Sequence, residues 1–206
     1  MKVKQYKVVL IGNSSVGKTS LVNRIIYKRM LDITNPTIGA SFMAHTLLTN
    51  KNEKIRLNIW DTAGQERYRS MVSLYYRDVD ICMLIFDISN FSVKDIEYWI
   101  KEYTQTSNKK AKIILVGNKA DLLQNNIDYY TDAGLNILIE KYNLKFFITS
   151  VITGQNIDNI LNYMGEYLSN DNISNQLNIQ SDNTDIKITD INLEESKTTE
   201  KKYCCY

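Results

Sequence analysis

The sequence predicts an α/β domain with a mostly parallel sheet, and three observations support this fold class. Short apolar runs alternate along the chain with segments of helical periodicity. A glycine-rich loop of fixed spacing joins the first apolar run to the first helical segment. No apolar stretch approaches the roughly 18 residues of a membrane-spanning helix. A chain of 206 residues is the size of one such domain with a short extension.

The predicted elements follow one another in a regular order as far as residue 168. Strands are predicted where aliphatic and aromatic residues cluster in short runs, and helices where apolar residues recur every three or four positions. In chain order the predicted strands are YKVVLIG, IRLNIW, ICMLIFDI, KIILVGN and KFFITS, and helices are predicted around residues 21–26, 93–103, 135–139 and 157–168. Because strands alternate with helices, a parallel sheet is favoured.

The composition changes near residue 169 and divides the chain in two. Residues 170–206 are rich in Asn, Asp, Ser and Thr, with isolated apolar residues that share no period. We therefore predict a folded domain over residues 1–169 and a disordered tail over residues 170–206. The formal net charge of +2 is small and evenly mixed. This balance argues against a nucleic-acid partner, and electrostatics alone identifies no other partner.

The loop GNSSVGKT, Gly12 to Thr19, fits the phosphate-binding pattern G-x-x-x-x-G-K-[ST] between a strand and a helix. Its backbone N–H groups and the following helix start can surround a phosphate chain. Lys18 would reach the β and γ phosphates, and the Thr19 hydroxyl would hold Mg²⁺. This loop alone does not separate ATP from GTP. The nucleotide contacts predicted here are Asn13, Ser14, Ser15, Val16, Gly17, Lys18, Thr19 and Ser20.

The motif NKAD, Asn118 to Asp121, selects the base. Guanine presents two adjacent N–H donors that one carboxylate can accept together, so Asp121 is predicted to bind guanine. A carboxylate facing adenine would stay unpaired, which disfavours the alternative of an ATPase or kinase with this loop. Asn118 would connect the base loop to the phosphate loop, and the Lys119 stem would cover one face of the base.

The segment WDTAGQERYRS, Trp60 to Ser70, supplies groups for the γ phosphate. Asp61 can bind Mg²⁺ through water, Gly64 can offer its N–H, and Gln65 can orient the attacking water. Thr37 can close on Mg²⁺ and the γ phosphate from the other side. The predicted catalytic residues are thus Gln65, Lys18 and Thr37, and the predicted metal ligands are Thr19, Thr37 and Asp61. Two loops would be held only while the γ phosphate is present.

These motifs in this order resemble the Ras-like small GTPases and, within them, the Rab family, over residues 5–168. The Rab-type segments are IGASF, RLNIW, QERYRSM, YYRD and LIFDIS, and IGASF with QERY and GNKADL is most similar to the early-endosomal branch. The resemblance implies a P-loop G domain with a six-stranded sheet, one antiparallel edge strand and about five helices. It also implies an aromatic effector patch formed by Phe42, Trp60 and Tyr75.

The resemblance implies a membrane-identity switch that cycles between GDP-bound and GTP-bound states. Its expected partners are an exchange factor, a GTPase-activating protein, a GDP-dissociation inhibitor, a prenylation escort protein and effectors. The terminal pair Cys204 and Cys205 resembles Rab tails that carry two geranylgeranyl groups, and stable anchoring takes two such signals. We expect a cytosolic protein that docks on the cytoplasmic face of endosomal or other vesicular membranes.

One residue and one short segment depart from the family pattern. Met30 stands where relatives carry an aromatic residue over guanine, and ITSVI stands where relatives read ETSAK. Ser150 and Val151 keep their places beside the base, whereas Ile152 replaces a lysine. These changes predict weaker nucleotide binding or faster exchange.

Gln65 predicts GTP hydrolysis, with a slow intrinsic rate because no built-in arginine finger is evident. The alternative is a GTP-binding interaction module with little hydrolysis, which Met30 and Ile152 suggest.

Overall fold

A six-stranded sheet in the order β2-β3-β1-β4-β5-β6 forms the centre of the protein in a computed structural model, which describes residues 3–29, 37–65, 69–123 and 132–182. Only the β2/β3 pair is antiparallel; the pairs β3/β1, β1/β4, β4/β5 and β5/β6 are parallel. The strands are β1 Lys4–Ile11, β2 Ala40–Leu48, β3 Lys54–Thr62, β4 Ile81–Asp87, β5 Lys112–Asn118 and β6 Lys145–Ile148.

Helices cover both faces of the sheet. They are α1 Lys18–Tyr27, the single turn α2 Arg69–Val72, α3 Val93–Thr106, α4 Ala133–Lys141 and α5 Ile157–Asp182, with 3₁₀ turns at Ser73–Tyr76 and Ala120–Leu122. One core cluster lies between the sheet and helices α1 and α5, and a second lies on the α3 and α4 side. The predicted fold class, with a mostly parallel sheet and one antiparallel edge strand, is confirmed.

Strand positions follow from the apolar patterns. In β4, six consecutive residues are buried, as expected for a central strand covered on both faces. In β2, half-buried and exposed residues alternate, which suits an edge strand with one solvated face. Helix α3 starts where the Ser92 hydroxyl accepts from the Asp95 N–H, and α4 starts where the Asp132 carboxylate accepts from the Leu135 N–H.

The end of α5 lies beyond the predicted end of the last helix. This helix was predicted to end near residue 168, whereas α5 continues to Asp182. The chain divides into two units, Met1–Asn170 and Asp171–Tyr206. The predicted tail of residues 170–206 therefore has helical backbone as far as Asp182, and residues 183–206 lie outside the described part. In that described part, no helix is long and apolar enough to cross a bilayer.

Candidate functional site

A cavity of about 320 Å³ opens at the carboxyl ends of β1 and β3, where the phosphate loop meets the segments before β2 and after β3. Ligands of open parallel sheets bind at this end of the strands. The cavity is lined by Ser14, Ser15, Gly17, Lys18, Thr19, Ser20, Thr37, Thr62, Gly64 and Gln65. Six of the eight predicted phosphate-loop contacts and both predicted γ-phosphate segments thus share one cavity, whereas Asn13 and Val16 do not line it.

The two glycines that frame the phosphate loop are required by its backbone. Gly12 and Gly17 have φ angles of 134° and 98°, which side-chain-bearing residues rarely adopt. A Cβ atom on Gly12 would lie 2.0 Å from the Ile85 carbonyl oxygen, and one on Gly17 would lie 2.3 Å from Asn118 Nδ2. The glycine spacing of the sequence pattern therefore reflects close approaches to β4 and β5.

Lys18 lies at the floor of the cavity and is 6% exposed. Its ammonium Nζ donates to the carbonyl oxygens of Gly12 at 2.8 Å and Asn13 at 2.7 Å. Burial lowers the pKa of Lys18 to about 8, and Asp61 partly opposes this shift. Because the buried charge is only partly compensated, an anionic ligand here would restore favourable interactions to the ammonium.

Asp61 brings together the predicted metal ligands. Thr19 Oγ1 donates to Asp61 Oδ2 at 2.6 Å, Thr37 Oγ1 lies 3.3 Å from the same oxygen, and the two threonine hydroxyls are 2.9 Å apart. Asp61 is 1% exposed, and burial raises the pKa of its carboxyl although the hydrogen bond from Thr19 opposes the shift.

The donor set at Asp61 fits Mg²⁺. Asp61 Oδ1 is buried and accepts no hydrogen bond within the described ranges, so it is available to a ligand. Mg²⁺ prefers oxygen ligands and is usually held by one or two carboxylates together with water and substrate phosphates. The described residues contain no cluster of three His, Cys, Asp or Glu side chains for a metal. A site with one carboxylate and two hydroxyls would not form such a cluster.

The base motif is anchored to the phosphate loop by Asn118. Its Nδ2 donates to the Val16 carbonyl at 2.8 Å, which is the connection that the sequence predicts. Its Oδ1 accepts from the Thr149 hydroxyl and from the Val151 N–H, both at 3.3 Å. Val151, predicted to lie beside the base, thus directs its N–H at Asn118 in the structure.

Asp121 lies beside the loop that follows β6. Its Oδ1 accepts a hydrogen bond of 2.5 Å from the buried Ser150 hydroxyl, so the carboxylate is oriented by one of the predicted base contacts. Lys119 Nζ pairs with Asp87 Oδ2 at 2.7 Å, which connects the base motif to the end of β4. Ile152 is 61% exposed and makes no comparable contact in the described part of the chain.

Comparison with known proteins places the chain among proteins that bind guanine nucleotides, in agreement with the geometry of the cavity and the base motif. The Ras family matches residues 7–170. GTP-binding protein ypt5 of Schizosaccharomyces pombe is 37% identical over 171 residues, which cover 82% of this chain and 81% of ypt5. Ras-related protein Rab-5A of Dictyostelium discoideum is 37% identical over 160 residues, 77% of this chain and 78% of Rab-5A. Ras-related protein Rab-11A of the same organism is 38% identical over 154 residues, 74% of this chain and 71% of Rab-11A.

The chain is a Rab small GTPase of the Ras family. The family predicted from the motifs is therefore confirmed.

The predicted effector patch of this Rab GTPase is a contiguous aromatic group. Ring centroids are 5.2 Å apart for Phe42 and Trp60 and 5.0 Å apart for Trp60 and Tyr75. Phe42 is 50% exposed, whereas Trp60 and Tyr75 are half-buried and pack against the α3-side core cluster. Trp60 thus contributes to the core and to the surface at once.

Sequence reasoning missed the side chains that hold the Rab phosphate loop from α3. The Trp99 indole N–H donates to Asn13 Oδ1 at 2.8 Å, and Asn13 Nδ2 donates to Asp95 Oδ2 at 3.2 Å. The sequence places Trp99 within the predicted helix of residues 93–103 and assigns it no role in the site. The hydrogen-bonding capacity of a buried indole was the available signal, since such groups usually find a partner.

Three predicted site residues of this Rab GTPase, Met30, Cys204 and Cys205, lie outside the described residues. The roles assigned to them stay predictions.

Proposed function

We propose that this Rab GTPase binds and hydrolyses GTP as a switch of vesicle and endosomal membrane traffic. It would cycle between a GDP-bound soluble state and a GTP-bound membrane-docked state that binds effectors. The observation that carries the proposal is the meeting of Thr37 and Thr19 on Asp61, which joins the segment before β2 to the phosphate loop across the cavity. A γ phosphate bound there would hold that segment in place, and its loss would release it.

Each group in the cavity has a chemical task in this proposal. The phosphate-loop N–H groups and the Lys18 ammonium would bind the β and γ phosphates. Thr19, Thr37 and Asp61 would hold Mg²⁺, which neutralises charge on the phosphate oxygens. Gln65, at the cavity wall, would orient the attacking water.

The Gly64 N–H is assigned to the γ phosphate because the backbone at this position lies close to the phosphate loop. A Cβ atom on Gly64 would lie 2.4 Å from Lys18 Nζ and from the Asn13 carbonyl oxygen. Only a glycine lets the segment after β3 approach the cavity so closely.

Guanine specificity is assigned to Asp121, with Ser150 as the group that orients it. A carboxylate that accepts two guanine N–H groups forms charge-assisted hydrogen bonds, each worth about 1.5–3 kcal/mol. Met30, at the position predicted to lie over guanine, would cover the base less than an aromatic residue. The exposed Ile152 would cover it less than the lysine of relatives. We therefore expect faster nucleotide exchange than in relatives that carry those residues.

The switch is tested by bound-nucleotide analysis and single-turnover hydrolysis on the purified chain. We expect guanine nucleotide to co-purify, and slow hydrolysis that a GTPase-activating protein accelerates about 10³ to 10⁵-fold. Gln65→Leu should keep GTP binding and abolish hydrolysis. Thr37→Ala should keep GDP binding and weaken binding of a non-hydrolysable GTP analogue. If the wild-type chain bound GTP but turned it over no faster than Gln65→Leu, it would be a binding module and not an enzyme.

The early-endosomal branch is proposed from the segments IGASF, QERY and GNKADL. An exchange factor, a GDP-dissociation inhibitor and a prenylation escort protein would serve the cycle.

Membrane docking is assigned to geranylgeranyl groups on Cys204 and Cys205. Intact-mass spectrometry of the native protein should show two lipid additions. Two free thiols in the membrane-derived protein would exclude this anchor.

A further inference from the structure

The edge of the sheet opposite the nucleotide cavity is rich in lysine. Parallel strands begin at the same edge, and four of the five strands in the parallel part, β1, β3, β5 and β6, begin with lysine. We name this surface the basic edge and define it as residues 3–4, 50–54, 77–80, 107–112, 143–145 and 166–170. Neighbouring strands lie about 4.8 Å apart, so the edge from β3 to β6 is about 19 Å wide.

The basic edge carries more positive charge than the chain as a whole. It holds eight basic and four acidic residues, an excess of four, whereas the entire chain has a net charge of +2. Two of the basic residues are neutralised locally: Lys109 pairs with Asp80 at 2.6 Å and Arg77 with Asp78 at 3.3 Å. Within the described part of the chain, the other six form no ion pair; they are Lys4, Lys51, Lys54, Lys110, Lys112 and Lys145.

The part of α5 that belongs to the first unit ends at this edge. The Tyr6 hydroxyl, near the start of β1, donates to the Leu168 carbonyl at 3.5 Å. Lys51 Nζ, in the turn between β2 and β3, donates to Asn170 Oδ1 at 2.9 Å, and Asn50 Nδ2 donates to Glu166 Oε1 at 2.7 Å. The chain therefore leaves the first unit from the basic edge.

We propose that the basic edge docks on an anionic lipid surface, as an electrostatic contact of the folded domain in addition to the terminal lipids. The choice of a membrane as partner rests on the proposed function. Charge complementarity supports it: surface lysines are drawn to anionic lipids without specific geometry, at about fivefold in affinity per lysine. Position supports it as well, because the segment that carries the proposed lipid acceptors continues from Asn170.

Lysines spread singly across an edge suit a lipid surface better than a nucleic acid. Recognition of nucleic-acid phosphates favours arginine with its bidentate guanidinium, and single strands are bound by stacking on aromatic side chains. The basic edge has one arginine, Arg77, and that side chain is already paired with Asp78.

The test is cosedimentation of the full unlipidated chain with vesicles of phosphatidylcholine alone or with about 30 mol% phosphatidylserine. The test variant carries Lys4→Gln, Lys54→Gln and Lys110→Gln, three exposed side chains with no hydrogen bond or ion pair among the described residues. The matched control carries Lys28→Gln, Lys94→Gln and Lys101→Gln. Lys28 pairs with Asp158 at the opposite end of α5, and the other two lie on α3. Both variants lose three positive charges.

We expect the wild-type chain to bind only the phosphatidylserine vesicles and to lose binding as salt rises from about 50 to 300 mM. The test variant should bind between about tenfold and 125-fold more weakly, and the control variant within about threefold of wild type.

Three outcomes would overturn the basic edge as a lipid contact: no binding by the wild-type chain, equal losses in the two variants, or equal binding to a single-stranded RNA oligomer. Nucleotide content is measured on the same samples. If the chain bound vesicles but no guanine nucleotide, the proposed nucleotide switch would be wrong. The lipid contact would still be supported.

Discussion

Asn13 connects three parts of the site through different atoms. Its carbonyl oxygen accepts from the Lys18 ammonium, and its side chain is held by the Trp99 indole and the Asp95 carboxylate of α3. Trp99 is almost fully buried, so the position of α3 is transmitted to the phosphate loop through the two hydrogen bonds that Asn13 forms with Trp99 and Asp95. Asn13 is half-buried, so loss of the hydrogen bond from Trp99 costs about 0.5–1.5 kcal/mol.

Trp99→Phe is therefore expected to speed GDP dissociation by about fivefold or more, because the smaller phenyl ring keeps an apolar side chain in the core and removes the N–H. The measurement is displacement of a fluorescent GDP analogue. The double variant Trp99→Phe with Asn13→Ala should release GDP no faster than Asn13→Ala alone. Additive effects would contradict a coupling through this hydrogen bond.

Asp121→Ala is expected to reduce the preference for GTP over ATP by about tenfold to 150-fold for each lost charge-assisted hydrogen bond. Competition binding with both nucleotides measures the ratio. Asp158→Ala, an exposed acid in the first turn of α5, serves as the control and should leave the ratio unchanged. An unaltered ratio in Asp121→Ala would remove this residue as the guanine contact.

Much of the candidate site was predictable because its chemistry is encoded in short segments. The glycines, Lys18 and Thr19 stand in one loop, and Asn118 and Asp121 stand in one motif, so spacing alone identified them. The contact of Trp99 with Asn13 joins residues 86 positions apart. Because no local pattern specifies such a partner, only the packing of α3 on the sheet could reveal it.

At the scale of elements, apolar runs identified the central strands and helical periodicity identified four of the helices. The run of β4 is buried on both faces, so its composition is unambiguous. Helix α2 is a single turn and the two 3₁₀ turns are equally short, so no period could form in them. The sequence predicts an earlier end for the last helix because the apolar residues after Ser169 are isolated and share no helical period.

A cluster of ion pairs joins α3 to α4 through Glu97. Its Oε1 lies 2.8 Å from Lys141 Nζ and 3.2 Å from Lys101 Nζ, and it accepts from the Tyr142 hydroxyl at 3.2 Å. The hydrogen bond from Lys141, followed by that from Lys101, lowers the pKa of Glu97 from 4.5 to about 2. A carboxyl whose pKa is lower in the folded state stabilises the fold above its unfolded pKa.

Glu97→Gln is accordingly expected to lower stability at neutral pH, with the difference from wild type shrinking as pH falls from 4.5 towards 2. Urea unfolding between about pH 3 and 7 measures it. Glu140→Gln, an exposed acid of α4 outside these pairs, should show no such pH dependence. A difference between Glu97→Gln and wild type that stays constant with pH would exclude the ion pairs as its cause.

At the scale of the whole molecule, ligand binding and folding are linked through the cavity. Lys18 and Asp61 are buried charged groups whose pKa values are shifted towards the neutral forms by burial. A phosphate chain with Mg²⁺ would compensate both groups, and a ligand that binds only the folded state stabilises it by mass action.

Nucleotide-free protein should therefore gain about 2.7 kcal/mol of stability at a GDP concentration 100 times the dissociation constant. For a domain of this size the gain corresponds to a rise in melting temperature of about 5–10 °C. Thermal unfolding with GDP and Mg²⁺ measures the shift, and ATP at the same concentration is the control. Equal shifts with ATP would contradict guanine specificity.

By itself the sequence determined the α/β class, the phosphate loop, the base motif and the Rab family, since each is carried by residues adjacent in the chain. The tertiary structure decided which distant groups meet: Thr37 with Thr19 on Asp61, Trp99 with Asn13, and six lysines of separate segments on one edge. In the sequence the charge of those lysines is offset by acidic residues elsewhere, and the whole chain has a net charge of only +2. Parallel strands bring their amino ends to a common edge, and that alignment, which composition does not contain, concentrates the charge.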